Sequence, residues 1–373
     1  MLLCFCILLP LALALGKLST EENRYTQEIC GDTATLFDKS KRVQRSMNTP
    51  TVRRAEAPWS LLLKYAQNWN PELDQETQFD ESHAHCSGTL ISSRHVLTAA
   101  HCFGPLVEAG CNLNDTIEIL GISMHRRNLD RFLIVAPEVC VGKDCPSEFS
   151  PRGLKINKVF LSSRFIFAAC LPKVYNQHEG DIAVIELEKD VAFSETVYPA
   201  CLDDEPIVPG SKFTMFGYGR SNLPPAGILR KHETESKESC SIVDGVDEHL
   251  VCSTHCTGAA CSGDSGAAQI IFRENGTAYV SAVLIAGIPC PLIHHLRERG
   301  KDVQCEDINV RVEKHAGWIC EVTGICPSAG KEHLKTTTES TWDRLMKLLP
   351  LKKADEPVGF WTMERLQGDD FYA

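Results

Sequence analysis

Between Pro58 and Cys326 the chain is built of short runs rich in Val, Ile and Leu, separated by turn residues. That punctuation constrains the fold more than any other feature. The runs Ser60–Leu63, Gly88–Ser92, His95–Ala99, Ile182–Leu187, Phe213–Gly217, Ala268–Phe272 and Val280–Ile285 are only four to six residues long. Their length and composition suit strands, and the Asn275-Gly276 pair between the last two is a tight hairpin signal. Long helical periodicity is scarce, so the expectation is an all-β sandwich or barrel.

The flanks read differently. Residues 1–16 form an apolar run ending Ala14-Leu15-Gly16 and followed by Lys17, the pattern of a cleaved secretory signal peptide. The alternative, a membrane anchor, is disfavoured because the run is shorter than the ~20 residues a spanning helix needs, and no later stretch is long and apolar enough to span. Residues 17–45 are polar and charged, with one cysteine at Cys30 and a basic stretch up to Arg45 that suits an exposed processing site. They read as a propeptide or light-chain segment ahead of a domain over 46–326. Residues 327–373 read as a polar tail, with a short amphipathic turn expected near Trp342, Leu345, Leu348 and Leu349.

Charge and cysteines narrow the class. The formal net charge of −11 disfavours a partner bound through its phosphate backbone, so no nucleic acid is expected. Of 18 cysteines, Cys4 and Cys6 leave with the leader, and the even remainder in a secreted chain points to as many as eight disulfides. A zinc site at Cys252-Ser253-Thr254-His255-Cys256, or a redox protein built on the cysteines, is the competing and much weaker reading. No metal and no cofactor are expected.

Three stretches carry chemistry. They are Thr98-Ala99-Ala100-His101-Cys102, preceded by Cys86-Ser87-Gly88-Thr89-Leu90-Ile91; Asp181-Ile182-Ala183-Val184-Ile185-Glu186-Leu187; and Cys261-Ser262-Gly263-Asp264-Ser265-Gly266. Alone, each has an ordinary explanation: a surface histidine, a turn aspartate before an apolar strand, a loop tetrapeptide. Together, in this order, they closely resemble the chymotrypsin/trypsin family of serine proteases over roughly Pro58 to Cys320. The start Leu18-Ser19-Thr20-Glu21-Glu22-Asn23 with Ile29-Cys30-Gly31, and the end Trp318–Cys326, are similar to a trypsin-like group expanded in nematodes.

The resemblance implies two packed antiparallel β-barrels with a short C-terminal helix, and a secreted serine endopeptidase acting on proteins and peptides. It would be made as a zymogen and would meet an activating protease and protease inhibitors. Serine hydroxyl is a weak nucleophile at neutral pH, so Ser265 would need His101 as base, with Asp181 fixing the imidazole tautomer. The N–H groups of Gly263 and Ser265 would form the oxyanion hole. Implied disulfides are Cys86 with Cys102, Cys240 with Cys252, Cys261 with Cys290, and Cys30 with Cys201. Cys111, Cys140, Cys145, Cys170, Cys256, Cys305, Cys320 and Cys326 are left open, with about 105 possible pairings.

Departures from the family pattern bear on activity. Activation would free a new amino terminus at Ser46, after Arg45, to pair with Asp264, yet Ser46-Met47-Asn48-Thr49 replaces Ile-Val-Gly-Gly. Cleavage after Arg42, before Val43, is a second possibility. Ala267-Ala268 replaces Gly-Pro, and Ile285-Ala286-Gly287 replaces Ser-Trp-Gly on the strand that pairs with substrate, removing a hydroxyl near Asp181. At the base of the specificity pocket stands Ala259, which suggests an apolar preference. Asp307, counted back from Trp318, falls on the opposite wall, where it would bind Lys or Arg; a slip in the alignment would make it a solvated turn residue instead. The alternative function is therefore a catalytically weak or inactive homologue that keeps the fold as a binding or regulatory module. Two glycosylation sequons are present, at Asn114 and Asn275, the latter also explicable by the hairpin alone.

Overall fold

The computed structural model describes residues 16–32, 54–66, 70, 72, 84–103, 129–136, 152–165, 178, 180–219, 229–240, 248–255, 260–288, 290–301 and 305–327. Among the described residues, fourteen strands form two seven-stranded sheets, each rolled into a barrel. All seven runs singled out above lie in or overlap strands, because each packs apolar side chains into a barrel interior at strand length.

The first barrel comprises β1 (Ser60–Tyr65), β2 (Ala84–Leu90), β3 (His95–Thr98), β4 (Phe132–Ala136), β5 (Arg152–Leu154), β6 (Ile156–Leu161) and β7 (Ala183–Leu187). Their spatial order is β5-β4-β1-β2-β3-β7-β6. The two end strands, β5 and β6, are separated in the chain by Lys155 alone, so chain continuity completes the ring. Leu61, Leu62 and Leu63 of β1 are all fully buried, each contributing on the order of 2 kcal/mol of apolar burial.

The second barrel comprises β8 (Cys201–Leu202), β9 (Lys212–Gly217), β10 (Arg230–Ser236), β11 (Leu250–His255), β12 (Ala268–Phe272), β13 (Ala278–Gly287) and β14 (Cys305–Arg311). The order is β12-β9-β10-β11-β14-β13-β8, and pairing of β12 with β13 closes the ring. Trp59 at the entrance to β1 meets Phe216 of β9 edge-on, with ring centroids 6.0 Å apart, and joins the cores of the two barrels. The β12–β13 hairpin turns at Asn275-Gly276 as the dipeptide predicts: Gly276 has φ 85°, and Asn275 Oδ1 accepts the Thr277 N–H at 3.0 Å.

Three α-helices of eight or more residues lie among the described residues. The first, α1 (Thr20–Ile29), is not anticipated by the reading of 17–45 as a polar segment. Its signal is present, because Ser19 and Glu22 form a reciprocal capping box that satisfies two otherwise orphaned N–H groups. This helix is strapped to the body. Arg94 donates to Glu22 (2.6 Å) and to Asp190 (2.7 and 3.0 Å), Asn23 brackets the backbone of Cys326, and Leu18 N–H donates to Thr323 C=O at 2.7 Å. The second, α2 (Cys290–Glu298), fills the connection from β13 to β14. The third, α3 (Ala316–Thr323), is the expected short C-terminal helix and ends at Gly324 in the left-handed conformation, where a Cβ would lie 2.4 Å from Leu18 O. The turn expected near Trp342 lies outside the described residues.

The four implied disulfides are all formed: Cys30–Cys201, Cys86–Cys102, Cys240–Cys252 and Cys261–Cys290. A fifth, Cys320–Cys326, ties off α3 and resolves one pair among the eight cysteines left open. Because Cys252 is bonded to Cys240, it is withdrawn from the zinc reading. Cys305 is buried at the start of β14, while Cys111, Cys140, Cys145, Cys170 and Cys256 lie outside the described residues.

Candidate active site

His101 and Asp181 come from opposite sides of the β3–β7 pairing. His101 sits in the 3₁₀ turn Ala100–Phe103 just after β3, and Asp181 lies two residues before β7. Because β3 and β7 are antiparallel, with Thr98 opposite Ala183, the end of one strand meets the start of the other. Asp181 is 3% exposed and binds His101 twice: Oδ2 meets the ring Nδ1 at 2.7 Å and Oδ1 accepts the His101 backbone N–H at 2.8 Å. The backbone hydrogen bond locates the residue, and the ring contact, with a carboxylate that can only accept, sets its orientation and tautomer. The Cys86–Cys102 bridge anchors the same turn. Behind it, His85 Nε2 lies 2.8 Å from Cys102 O, and burial keeps the His85 imidazole below its usual pKa.

Ser265 lies in the turn between Cys261 and β12 and is 3% exposed. The turn is pressed against the strand end that carries His101. Gly266, at φ 84°, has room for no side chain, since a Cβ would approach Thr98 Oγ1 at 2.2 Å and Ser87 O at 2.3 Å. Ser87 N–H donates to Ser265 C=O at 2.7 Å. Gly263 adopts φ 98°, a conformation glycine takes without steric cost. The Cys261–Cys290 bridge holds the upstream end of the turn.

Asp264, beside Ser265, points inward. Its Oδ1 accepts the Gly219 N–H at 2.7 Å and its Oδ2 accepts the Cys261 N–H at 2.9 Å. Burial raises its pKa; the positive field of His232 and the two N–H bonds oppose the rise, and Asp307 adds to it. Gly217 and Gly219 make way for the carboxylate, because a Cβ at either would lie 2.1–2.2 Å from one of its oxygens.

The pocket positions divide. Asp307 is 2% exposed on β14, which excludes the solvated-turn alternative. It is registered opposite Ser253 of β11 on one side and Gly287 of β13 on the other. Asn309, two residues on, donates to Asp307 C=O at 3.3 Å and to Ser253 Oγ at 3.1 Å. Ile285 falls at an irregularity in the β13–β14 register and is buried at 4% exposure in the apolar core, so it presents no hydroxyl to the site. Ala259, Arg45, Ser46 and Asn114 lie outside the described residues, and Asn275 is exposed at its hairpin.

The sequence profile described as Trypsin matches residues 47–128 and 159–294, more than half of the chain. The chain belongs to the trypsin family. Relatives agree at low identity. A venom protease of Bombus pensylvanicus is 26% identical over 247 residues, covering 63% of this chain and 85% of that protein. Transmembrane protease serine 11G of Mus musculus is 25% identical over 252 residues, covering 64% of this chain, and the match spans only 50% of its own length. Trypsin-like protease try-5 of Caenorhabditis elegans is 25% identical over 324 residues, covering 80% of this chain and 92% of that protein. No helix among the described residues is long and apolar enough to cross a membrane.

Within this trypsin-family frame, Ser87, Thr98, Gly217 and Gly219 surround the candidate nucleophile turn without having been assigned a role from the sequence. Ser87 and Thr98 stand inside the quoted motifs, but nothing in a linear motif shows which side chains cross from one barrel to the other. The clustered Cys86, His101 and Cys102 have metal-ligand atoms within 4.8 Å of one another, yet both sulfurs are spent in a disulfide.

Proposed function

We propose that this trypsin-family chain is a secreted endopeptidase in which His101, Asp181 and Ser265 form the triad. The observation that carries the reading is the pair of hydrogen bonds that Asp181 accepts from His101, beside the turn that carries Ser265. In this mechanism Ser265 Oγ attacks the scissile carbonyl while His101 Nε2 takes the hydroxyl proton. The resulting oxyanion is received by the N–H groups of Gly263 and Ser265. Collapse of the intermediate breaks the C–N bond as His101 returns the proton to the leaving amine, leaving an acyl-enzyme on Ser265. Water, deprotonated by His101, releases the acid and restores the site. No metal or cofactor enters any of these steps.

The primary pocket is read as favouring Lys or Arg, through the buried Asp307, which is paired with Gly287 across β13 and β14. Residues 1–16 are assigned as leader, 17–45 as a segment retained through Cys30–Cys201, 46–326 as the protease domain and 327–373 as tail. Activation after Arg45, with the new Ser46 terminus reaching Asp264, belongs to the same reading. So do glycans at Asn114 and Asn275, protein substrates, an activating protease and inhibitors. The buried, apolar Ile285 favours one second reading, a homologue of reduced activity that binds rather than cleaves.

Labelling of the secreted protein with a fluorophosphonate separates the two. Labelling that appears after treatment with an activating protease and vanishes in Ser265→Ala is expected. Its absence in the treated native chain overturns the enzymatic reading.

A further inference from the structure

We propose that Ser87 is a positioning residue for the oxyanion-binding peptide, acting through its side-chain hydroxyl from the opposite barrel. The proposal rests on the reading of Ser265 as nucleophile and of Gly263 as an oxyanion donor.

Ser87 lies on β2 of the first barrel and is 1% exposed. Its hydroxyl donates to Gly263 C=O at 2.9 Å and accepts the Tyr218 N–H, from the end of β9, at 3.3 Å. Its backbone N–H donates to Ser265 C=O at 2.7 Å, and its own C=O accepts the Thr98 hydroxyl at 2.7 Å. One residue of the first barrel therefore holds the residues on both sides of Asp264, and it does so from the strand pair that leads to His101.

The hydroxyl adds something the backbone bond does not. The peptide joining Gly263 to Asp264 has its N–H bonded to Cys261 C=O at 2.9 Å, and its carbonyl is the group that Ser87 Oγ binds. That peptide plane is thus gripped at both ends. The N–H of Gly263 belongs to the preceding plane, linked to the gripped one by the two torsions of Gly263. Gly263 stands at φ 98°, and glycine has the widest torsional range of any residue. Without the Ser87 hydroxyl, the carbonyl end of the plane is released and the aim of the Gly263 N–H is set by glycine alone. A donor of this kind is effective because it is already aligned where the negative charge develops, so loosened aim weakens transition-state binding more than substrate binding.

The hydroxyl's second bond, from Tyr218 N–H, ties it to the segment that also holds Asp264 through Gly219. The nucleophile turn is in this way fixed between β2 on one side and the end of β9 on the other.

The test compares the native chain with Ser87→Ala and Ser87→Gly, all activated identically, with Ser265→Ala as the blank. The readouts are the rate of fluorophosphonate labelling, kcat and KM on the best-cleaved member of a peptide-amide set, and inhibition by a peptide aldehyde of the same sequence, whose adduct places an oxyanion in the site. Both variants are expected to lose about tenfold in kcat, or about 1.4 kcal/mol in the transition state. KM is expected to stay within about twofold, while labelling and aldehyde affinity fall in step with kcat. Three results overturn the inference while leaving the proposed function standing. One is native kinetics in both variants. Another is a loss confined to Ser87→Gly and absent from Ser87→Ala, which would assign the effect to packing of Cβ or to the backbone rather than to the hydroxyl. The third is a lowered melting temperature with unchanged rates, which would make Ser87 a purely structural residue. Failure of the native chain itself to show Ser265-dependent labelling overturns the proposed function, and this inference with it.

Discussion

Asp264 and Gly219 are in contact at hydrogen-bond distance: the Gly219 N–H donates to Asp264 Oδ1 at 2.7 Å, and a Cβ on Gly219 would fall 2.2 Å from Oδ2. A carboxylate this deeply buried depends on such donors, since removing one leaves part of its charge uncompensated. Gly219→Ala forces the carboxylate or the turn to move. We expect a destabilisation of about 2–3 kcal/mol and a loss of Ser265 labelling well beyond it, read by thermal melts alongside fluorophosphonate kinetics.

The pocket assignment predicts a specific asymmetry. Asp307→Ala should lower kcat/KM on Arg and Lys substrates by about a hundredfold or more and leave Leu or Phe substrates within a few-fold. Equal losses on both classes would instead mark Asp307 as a structural residue of β14.

Stability should fall on acidification because of a buried histidine. His315, at the foot of α3, is 5% exposed and packs against His249 with ring centroids 5.3 Å apart. Burial first, and then the charges of His249 and Arg164, press its pKa down to about 3 from an ordinary 6.5. A histidine kept neutral in the fold binds fewer protons than in the unfolded chain. Its contribution is therefore whole above pH 6.5 and shrinks as the pH falls from there towards about 3. The slope is at most about 1.4 kcal/mol per pH unit for one such group. His315→Gln should flatten the melting-temperature profile between pH 6.5 and pH 5, and an unaltered slope would refute the assignment.

Cys30–Cys201 predicts what happens to the amino-terminal piece. Cleavage between residues 32 and 54 should leave one species on a non-reducing gel and release a small fragment on reduction. Replacing both cysteines with serine should cost about 2–4 kcal/mol in the uncleaved chain.

Much of this was legible in the sequence. The strands announced themselves because each run is short, β-branched and bounded by turn residues. The Asp181 and His101 contact followed once their motifs were read together. What stayed hidden depends on partners distant in the chain. The helix α1 carried its capping box in plain view, but its mean polarity disguised a segment whose hold on the body comes from Arg94, Asn23 and one disulfide rather than from an apolar face. Helix α2 falls between two cysteines and lacks the length at which periodicity speaks clearly. Asp307 could be counted to but not placed until its strand pairing was known. Ser87 gave no sign of reaching 176 residues along the chain to Gly263.

The strap over residues 17–32 has one consequence for a processed molecule. It is anchored to the first barrel through Arg94, to the second through the paired backbones of Gly31 and Ala278, and to the terminal helix through Leu18 and Asn23. A cut downstream of residue 32 would divide the polypeptide in two and leave every one of these anchors in place. The severed piece then ceases to be a propeptide and becomes a clamp, a small second chain held at once to both barrels and to the terminal helix.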